Sequence, residues 1–201
     1  MRSHPVLRDG HQIKLLQGGA DFFPELIRAL DAARSHIQLE TYIFDFHGDG
    51  AYVAAALERA GRRGVRVWVV VDGVGTPKLK EEWRARFDSA GVEWRVYSPL
   101  GTLGLLIPSR WRRLHRKLCV VDGHVAFCGG INILDDLHDP QYGTLKSPRL
   151  DFAVCATGAL VQQVQEATTQ LWWRMQAVRH VRQQNFPEAF SSFRAASLHM
   201  P

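Results

Sequence analysis

The chain has 201 residues, 46% of them apolar, and carries a net charge of +5 with a pI near 9.4. Such a length suits one compact α/β unit with a sizeable core, and such a charge favours anionic partners, either nucleic acid or an anionic membrane surface. No stretch approaches the roughly 18 apolar residues of a spanning helix, the opening MRSHPVLRDGHQIKLL lacks the apolar core of a signal peptide, and the three cysteines form neither a CxxC pair nor an even framework.

Taken in chain order, Asp21 is placed to cap a first helix, FFPELIRALDAARS, in which Phe22, Leu26, Ala29, Leu30 and Ala33 recur at helical spacing. The strand-like HIQLETYIF follows at once. A second helix is expected from Ala51 to about Arg63, stopped by Gly64, and then a strand, VRVWVVVD, whose near-continuous valines suit burial on both faces. Pro77 to Ala90 reads as a third helix ended by Gly91, and VEWRVY as the next strand. Ser98 to Arg113 is irregular and mixes leucines with arginines, which suits either a surface loop or a lip offering apolar side chains and guanidiniums to lipid. Two strands, RKLCVVD and HVAFCGG, meet at the turn dipeptide Asp122-Gly123. DFAVCAT is a last strand, and a helix from Gly158 to about Arg179 follows. Residues 1–180 then form one domain and 181–201 a loose tail. Cys119, Cys128 and Cys155 fall in apolar strand runs and read as buried free thiols, so neither zinc nor any other cofactor is expected.

The chemistry concentrates in HRKLCVVDGHVAFCGGIN, residues 115–132. Residues two apart on a strand project the same way, roughly 6.5–7 Å apart, so His115 and Lys117 share a face with Cys119 and Val121 while Asp122 takes the other. If Val121 pairs with His124 across the turn, Gly130 stands opposite His115 and Gly129 opposite Arg116, leaving the space across from the imidazole free of side chain. Lys117 offers charge to a tetrahedral anion, Asn132 an amide donor, and Gly130 close access to backbone N–H groups. A neutral imidazole can attack phosphorus directly. By the same parity Asp122 should hold the turn or a neighbouring backbone and not touch substrate. DGVGTP, residues 72–77, imitates a phosphate-cradling loop but lacks the GK[ST] ending and reads as a strand-to-helix turn.

HxKxxxxD followed after six residues by GGxN is the signature of the phospholipase D superfamily, which this segment resembles. From about Leu7 to Trp173 the chain is similar to the amino-terminal half of a bacterial cardiolipin synthase of the type without spanning helices. The resemblance implies a phospholipase D fold, a mixed, mostly parallel β-sheet with helices on both faces. It also implies a transferase that joins two phosphatidylglycerols into cardiolipin, releases glycerol, passes through a phosphohistidine and needs no metal. His115, Lys117 and Asp122 become the catalytic motif, with His115 the nucleophile and Lys117, Asn132 and Gly130 the phosphate-binding set. Asp151, opening the next strand, matches an acidic residue that orients the histidine in some relatives. Glu40, in LETYIF, could be aimed with Tyr42 toward the same pocket, more as a counter-ion for Lys117 than as a catalyst. The expected setting is cytoplasmic, peripheral at the inner membrane, with anionic phospholipid as partner and nucleic acid less favoured.

The chain departs from that family in length. The family's site uses two such motifs, and only one is present here, so three forms follow: a half-enzyme that needs a second half-domain, a homodimeric single-motif phosphodiesterase or nuclease, or an inactive fragment that binds anionic lipid.

Overall fold

The computed structural model describes residues 9–76, 78–99, 113–140 and 142–198. The lip expected between Ser98 and Arg113 falls largely on residues 100–112 and lies outside them. β1 (His11–Gln17) runs straight into α1 (Gly18–Ala32), and then β2 (His36–Thr41), α2 (Asp49–Arg62), β3 (Arg66–Asp72), α3 (Glu81–Ala90) and β4 (Val92–Tyr97) alternate. After these come the hairpin β5 (Lys117–Val121) and β6 (Val125–Gly129), a small ribbon of β7 (His138–Asp139) with β8 (Gly143–Thr144), and β9 (Phe152–Gly158). Two helices follow, α4 (Ala159–Arg182) and α5 (Phe186–Leu198).

Among the described residues seven strands form one sheet in the order β1-β9-β6-β5-β2-β3-β4. β2, β3 and β4 are mutually parallel, and β5 and β9 run against the other five. The sheet is therefore mixed and mostly parallel in direction, as expected. α1, α2 and α3 cover one face, burying Phe23, Leu26, Leu57 and Phe87 against Leu39, Val69, Cys119 and Phe127. α4 covers part of the other, where Trp172 stacks on Trp68 with centroids 4.8 Å apart and planes 4° from parallel, and Val161 packs with Val120 and Ala126. The valines of β3 alternate between the layers: Val67, Val69 and Val71 face the first, Val70 the second. Aromatic burial of this kind contributes more per side chain than any other packing in the core. No helix of the described residues is long and apolar enough to cross a membrane.

Several boundaries differ from expectation for identifiable reasons. α1 begins at Gly18, whose φ of +67 turns the chain out of β1, so Asp21 lies inside the first turn and accepts a hydrogen bond from the Gln17 N–H at 3.1 Å. α3 starts at Glu81 because the chain just before it is held extended, with Leu79 buried in the core. The tail expected to be loose carries α5, whose Ala189, Ser192 and Ala196 are buried where it folds back on α4. Of the cysteines, Cys119 is buried, but Cys128 is exposed and Cys155 half-buried. Between α4 and β2 the packing is partly polar: Thr168 donates to Gln38 Oε1 at 2.7 Å, and Gln38 Nε2 donates to Thr169 at 2.9 Å.

Candidate active site

The end of β2, the start of β5, the end of β6 and the start of β9 meet at one edge of the sheet, because β5 and β9 run against β2 and β6. That alternation gathers Tyr42, His115, Lys117, Asn132 and Asp151 from four separate segments. The hairpin forming the floor closes through Asp122 and Gly123, with φ of +53 and +69, and the His124 N–H donates to Val121 O at 3.0 Å. His124 is then an extra residue on one strand, and the ladder pairs Val121 with Val125 and Lys117 with Gly129. The expected register was one residue short: Gly129 faces Lys117, not Arg116, and His115 lies outside the ladder.

Because regular pairing begins only at Lys117, strand alternation does not govern His115. Lys117 keeps the face expected for it and is buried among Phe22, Leu39, Cys119 and Phe127. His115 is exposed, and neither ring nitrogen has a hydrogen-bond partner among the described residues. The two side chains meet at Tyr42, whose ring centroid is 5.0 Å from the imidazole centroid and 5.6 Å from Lys117 Nζ. Burial pulls the Lys117 ammonium below the usual lysine range, and the nearby Asp151 carboxylate opposes that pull.

Gly130 does not serve as expected. Its N–H donates to Phe152 O at 2.9 Å, and a Cβ there would lie 2.1 Å from Asp151 Oδ1. The space beside it is filled by Asp151, so neither its donor nor its open side is available to an anion. Gly129 is equally enclosed, since a Cβ would lie 2.4 Å from Ala153 Cα. The paired glycines thus let β9 approach closely. Asp151 accepts from its own strand at Phe152 N–H, 2.7 Å, and makes no hydrogen bond to the His115 ring. Asn132 Oδ1 accepts the Ile43 N–H at 3.1 Å, which fixes the amide and leaves its amino group uncommitted among the described residues.

Asp122 sits at the far end of β5 from His115. Its carboxylate accepts the backbone N–H groups of Arg34, Ser35 and His36 and the Ser35 hydroxyl, at 2.8–2.9 Å. Partial burial would raise its pKa, but these donors outweigh it and hold the carboxyl down at about 2. Glu40 is 2% exposed and points to the α4 side, where its partner is Arg116 and not Lys117. Arg116 donates to both carboxylate oxygens and to Ala167 O at 3.0 Å. Burial pushes the Glu40 carboxyl up to about 7, with the guanidinium opposing.

Sequence reasoning missed two contributors. Asp72, fully buried at the end of β3, accepts the Leu114 N–H at 2.7 Å and an Arg113 N–H at 3.2 Å, and so fixes the segment that delivers His115. A carboxylate closing a valine-rich strand was the available signal, since such strand ends are where α/β sheets build sites. The second is an open cleft of about 370 Å³ beside His115, lined by Tyr97, Arg113, Leu114, Arg116, Ala167, Gln170, Leu171 and Arg174. His115 borders this cleft with three guanidiniums, those of Arg113 and Arg116 paired to Asp72 and Glu40, while Lys117 lies outside its lining, buried on the Cys119 side of β5. A cleft of this kind suits an anionic ligand.

The model of the cardiolipin synthase, phospholipase D-like domain family matches residues 26–142. Cardiolipin synthase B of Escherichia coli (strain K12) is 34% identical over 176 residues, which make up 83% of this chain and 42% of that protein. The chain thus spans about two-fifths of the length of such relatives. Among solved structures, the phospholipase D family member Nuc from Salmonella typhimurium superposes with a TM-score of 0.56 at 19% identity, covering 81% of this chain and 95% of Nuc. NucT from Helicobacter pylori superposes with a TM-score of 0.54 at 15% identity, covering 78% and 97%. At those identities the two structures speak to the fold alone.

Proposed function

This chain belongs to the cardiolipin synthase family of phospholipase D-like domains, and we propose that it is a phosphatidyltransferase half-site that acts on phosphatidylglycerol-like lipids through His115. The observation that carries the reading is an exposed imidazole at the mouth of an arginine-lined cleft, with both ring nitrogens uncommitted among the described residues, that also packs on the Tyr42 ring shared with Lys117. In the first step a ring nitrogen bonds to phosphorus as the bond from phosphorus to the glycerol oxygen breaks. The phosphatidyl group then rests on His115. Lys117 and the Asn132 amino group stabilise charge on the non-bridging oxygens, and Asp151 works to keep Lys117 protonated. In the second step a hydroxyl of another phosphatidylglycerol attacks the same phosphorus, the N–P bond breaks, and cardiolipin leaves.

Both steps need a group that gives a proton to the departing glycerol and later takes one from the incoming hydroxyl. His180 and His199 lie outside any second HxK pattern, so that group comes from a second motif on another polypeptide segment or a second copy. Asp122 acts at a distance, by holding the loop from α1 to β2 against the hairpin. Placement at a cytoplasmic membrane surface, without spanning it, belongs to the same reading.

A second reading has a specific basis. Nuc and NucT are covered almost end to end by about four-fifths of this chain, and on that fold two copies could build a site acting on a phosphodiester other than lipid. Purified chain incubated in parallel with labelled phosphatidylglycerol in mixed micelles and with single-stranded and duplex DNA separates the two. Glycerol release and cardiolipin formation upon adding a second half-domain support the transferase. DNA cleavage without lipid turnover supports the homodimer and refutes the transferase.

A further inference from the structure

α5 turns an unusual face outward. Phe186, Phe190 and Phe193 recur at spacings of four and three residues, which places them on one stripe, and they are 63%, 73% and 46% exposed. The adjoining stripe, Ala189, Ser192 and Ala196, about a quarter turn away, is the one buried toward α4. Val178 on α4 continues the exposed stripe, and an apolar hollow of about 420 Å³ lies between Val178, Phe193, Ala196, Ser197 and Arg174. Between residues 174 and 198 the sequence places four arginines against one carboxylate, Glu188. Arg174 is exposed and has no ion-pair partner among the described residues. It also lines the cleft beside His115. The hollow on the aromatic face and the cleft at the nucleophile therefore share one wall, and that wall is a guanidinium.

We propose that the α4–α5 hairpin is the surface by which this domain lies on an anionic bilayer, with Phe186, Phe190 and Phe193 in the acyl boundary and Arg174 leading a lipid phosphate from that surface into the His115 cleft. A short helix with an aromatic face and arginine flanks has the properties of an interfacial element, and its length of about 20 Å is too short to span. Charge decides the occupant: phosphate headgroups complement the arginines, whereas a second copy of the same face would bring like charges together. The proposal rests on the lipid reading above in one respect, that the ligand of the cleft arrives in a membrane.

The test is sedimentation of the full chain with vesicles of phosphatidylcholine alone and of equal phosphatidylcholine and phosphatidylglycerol, beside circular dichroism and sedimentation velocity for every variant. The wild type should partition onto the anionic vesicles and be released by salt. Replacing all three phenylalanines, Phe186→Ser, Phe190→Ser and Phe193→Ser, should lower partitioning by about tenfold or more. Arg174→Gln should lower it about fivefold on anionic vesicles and leave the neutral ones unchanged. His115→Ala should bind as the wild type does. Wild-type binding by the folded triple-serine variant would overturn the proposal, as would loss of a dimer as that variant's sole effect. Vesicle binding with no lipid chemistry at His115 once a second half-domain is supplied would sink the proposed reaction and leave this surface standing; turnover of micellar lipid under the same conditions with no vesicle binding would do the reverse.

Discussion

Removing the Asp122 carboxylate tests whether the aspartate of the motif is architecture or chemistry. In Asp122→Asn one oxygen remains for three backbone N–H groups and a hydroxyl that now share two. The carboxyl is held at about 2 against an ordinary 3.8, worth roughly 2.5 kcal/mol at full strength, and its partial solvation reduces this to about 1–2 kcal/mol. For a chain of this length that corresponds to about 2–8 °C in Tm. A depressed carboxyl stabilises the fold above the unfolded pKa, and that contribution is lost as pH falls through the folded value. The gap between wild type and variant should therefore be full above pH 3.8 and shrink toward about 2. Urea midpoints at neutral pH and near pH 3 measure it, and the rate of His115 labelling by lipid in the still-folded variant should stay within about threefold of wild type, since Asp122 is remote from the imidazole. Wild-type stability with labelling slowed about a thousandfold would refute this and make Asp122 a participant in the reaction.

Gly130→Ala places a methyl 2.1 Å from Asp151 Oδ1, so it should destabilise by about 1–3 kcal/mol in thermal melts and weaken phosphate binding by moving Asp151 from Lys117. Asp72→Asn loosens the hold on Leu114 and Arg113 and should cut His115 labelling about a hundredfold through misplacement, with substrate affinity changed far less. The Glu40 carboxyl, raised to about 7, binds its proton more tightly folded than unfolded, so stability from this group falls as pH climbs from 4.5 to about 7. Glu40→Gln should flatten that part of the stability profile in urea titrations.

The alternation of helices and strands was legible because Val67, Val69 and Val71 and the apolar stripe of α1 carry strong periodic signals that agree with local propensity. Asp122 was legible for a similar reason, since parity along five paired residues turned it away from Lys117. The register across the turn was not: one extra residue at His124 is invisible in a dipeptide that also suits a two-residue loop, and it moved Gly129 opposite Lys117. α5 was missed because its buried stripe is alanine and serine while its phenylalanines face outward, the inverse of the pattern that marks a core helix. The contacts of Asp72 with Leu114 and of Glu40 with Arg116 span 42 and 76 residues, and no local pattern announces them. The motif revealed which residue types gather at the site; only the fold assigned Gly130 to strand packing and Arg116 to a buried carboxylate.

The most direct measurement is to trap the covalent species. Wild-type chain, supplied with a second half-domain, is exposed to phosphatidylglycerol labelled in the phosphate, quenched at neutral-to-alkaline pH and mapped by peptide mass spectrometry, beside His115→Ala and Lys117→Met. A phosphatidyl adduct on the peptide containing His115, absent from His115→Ala and greatly reduced in Lys117→Met, is the expected result. An adduct that persists in His115→Ala, or lipid turnover by that variant at the wild-type rate, would contradict the central claim that this imidazole is the nucleophile.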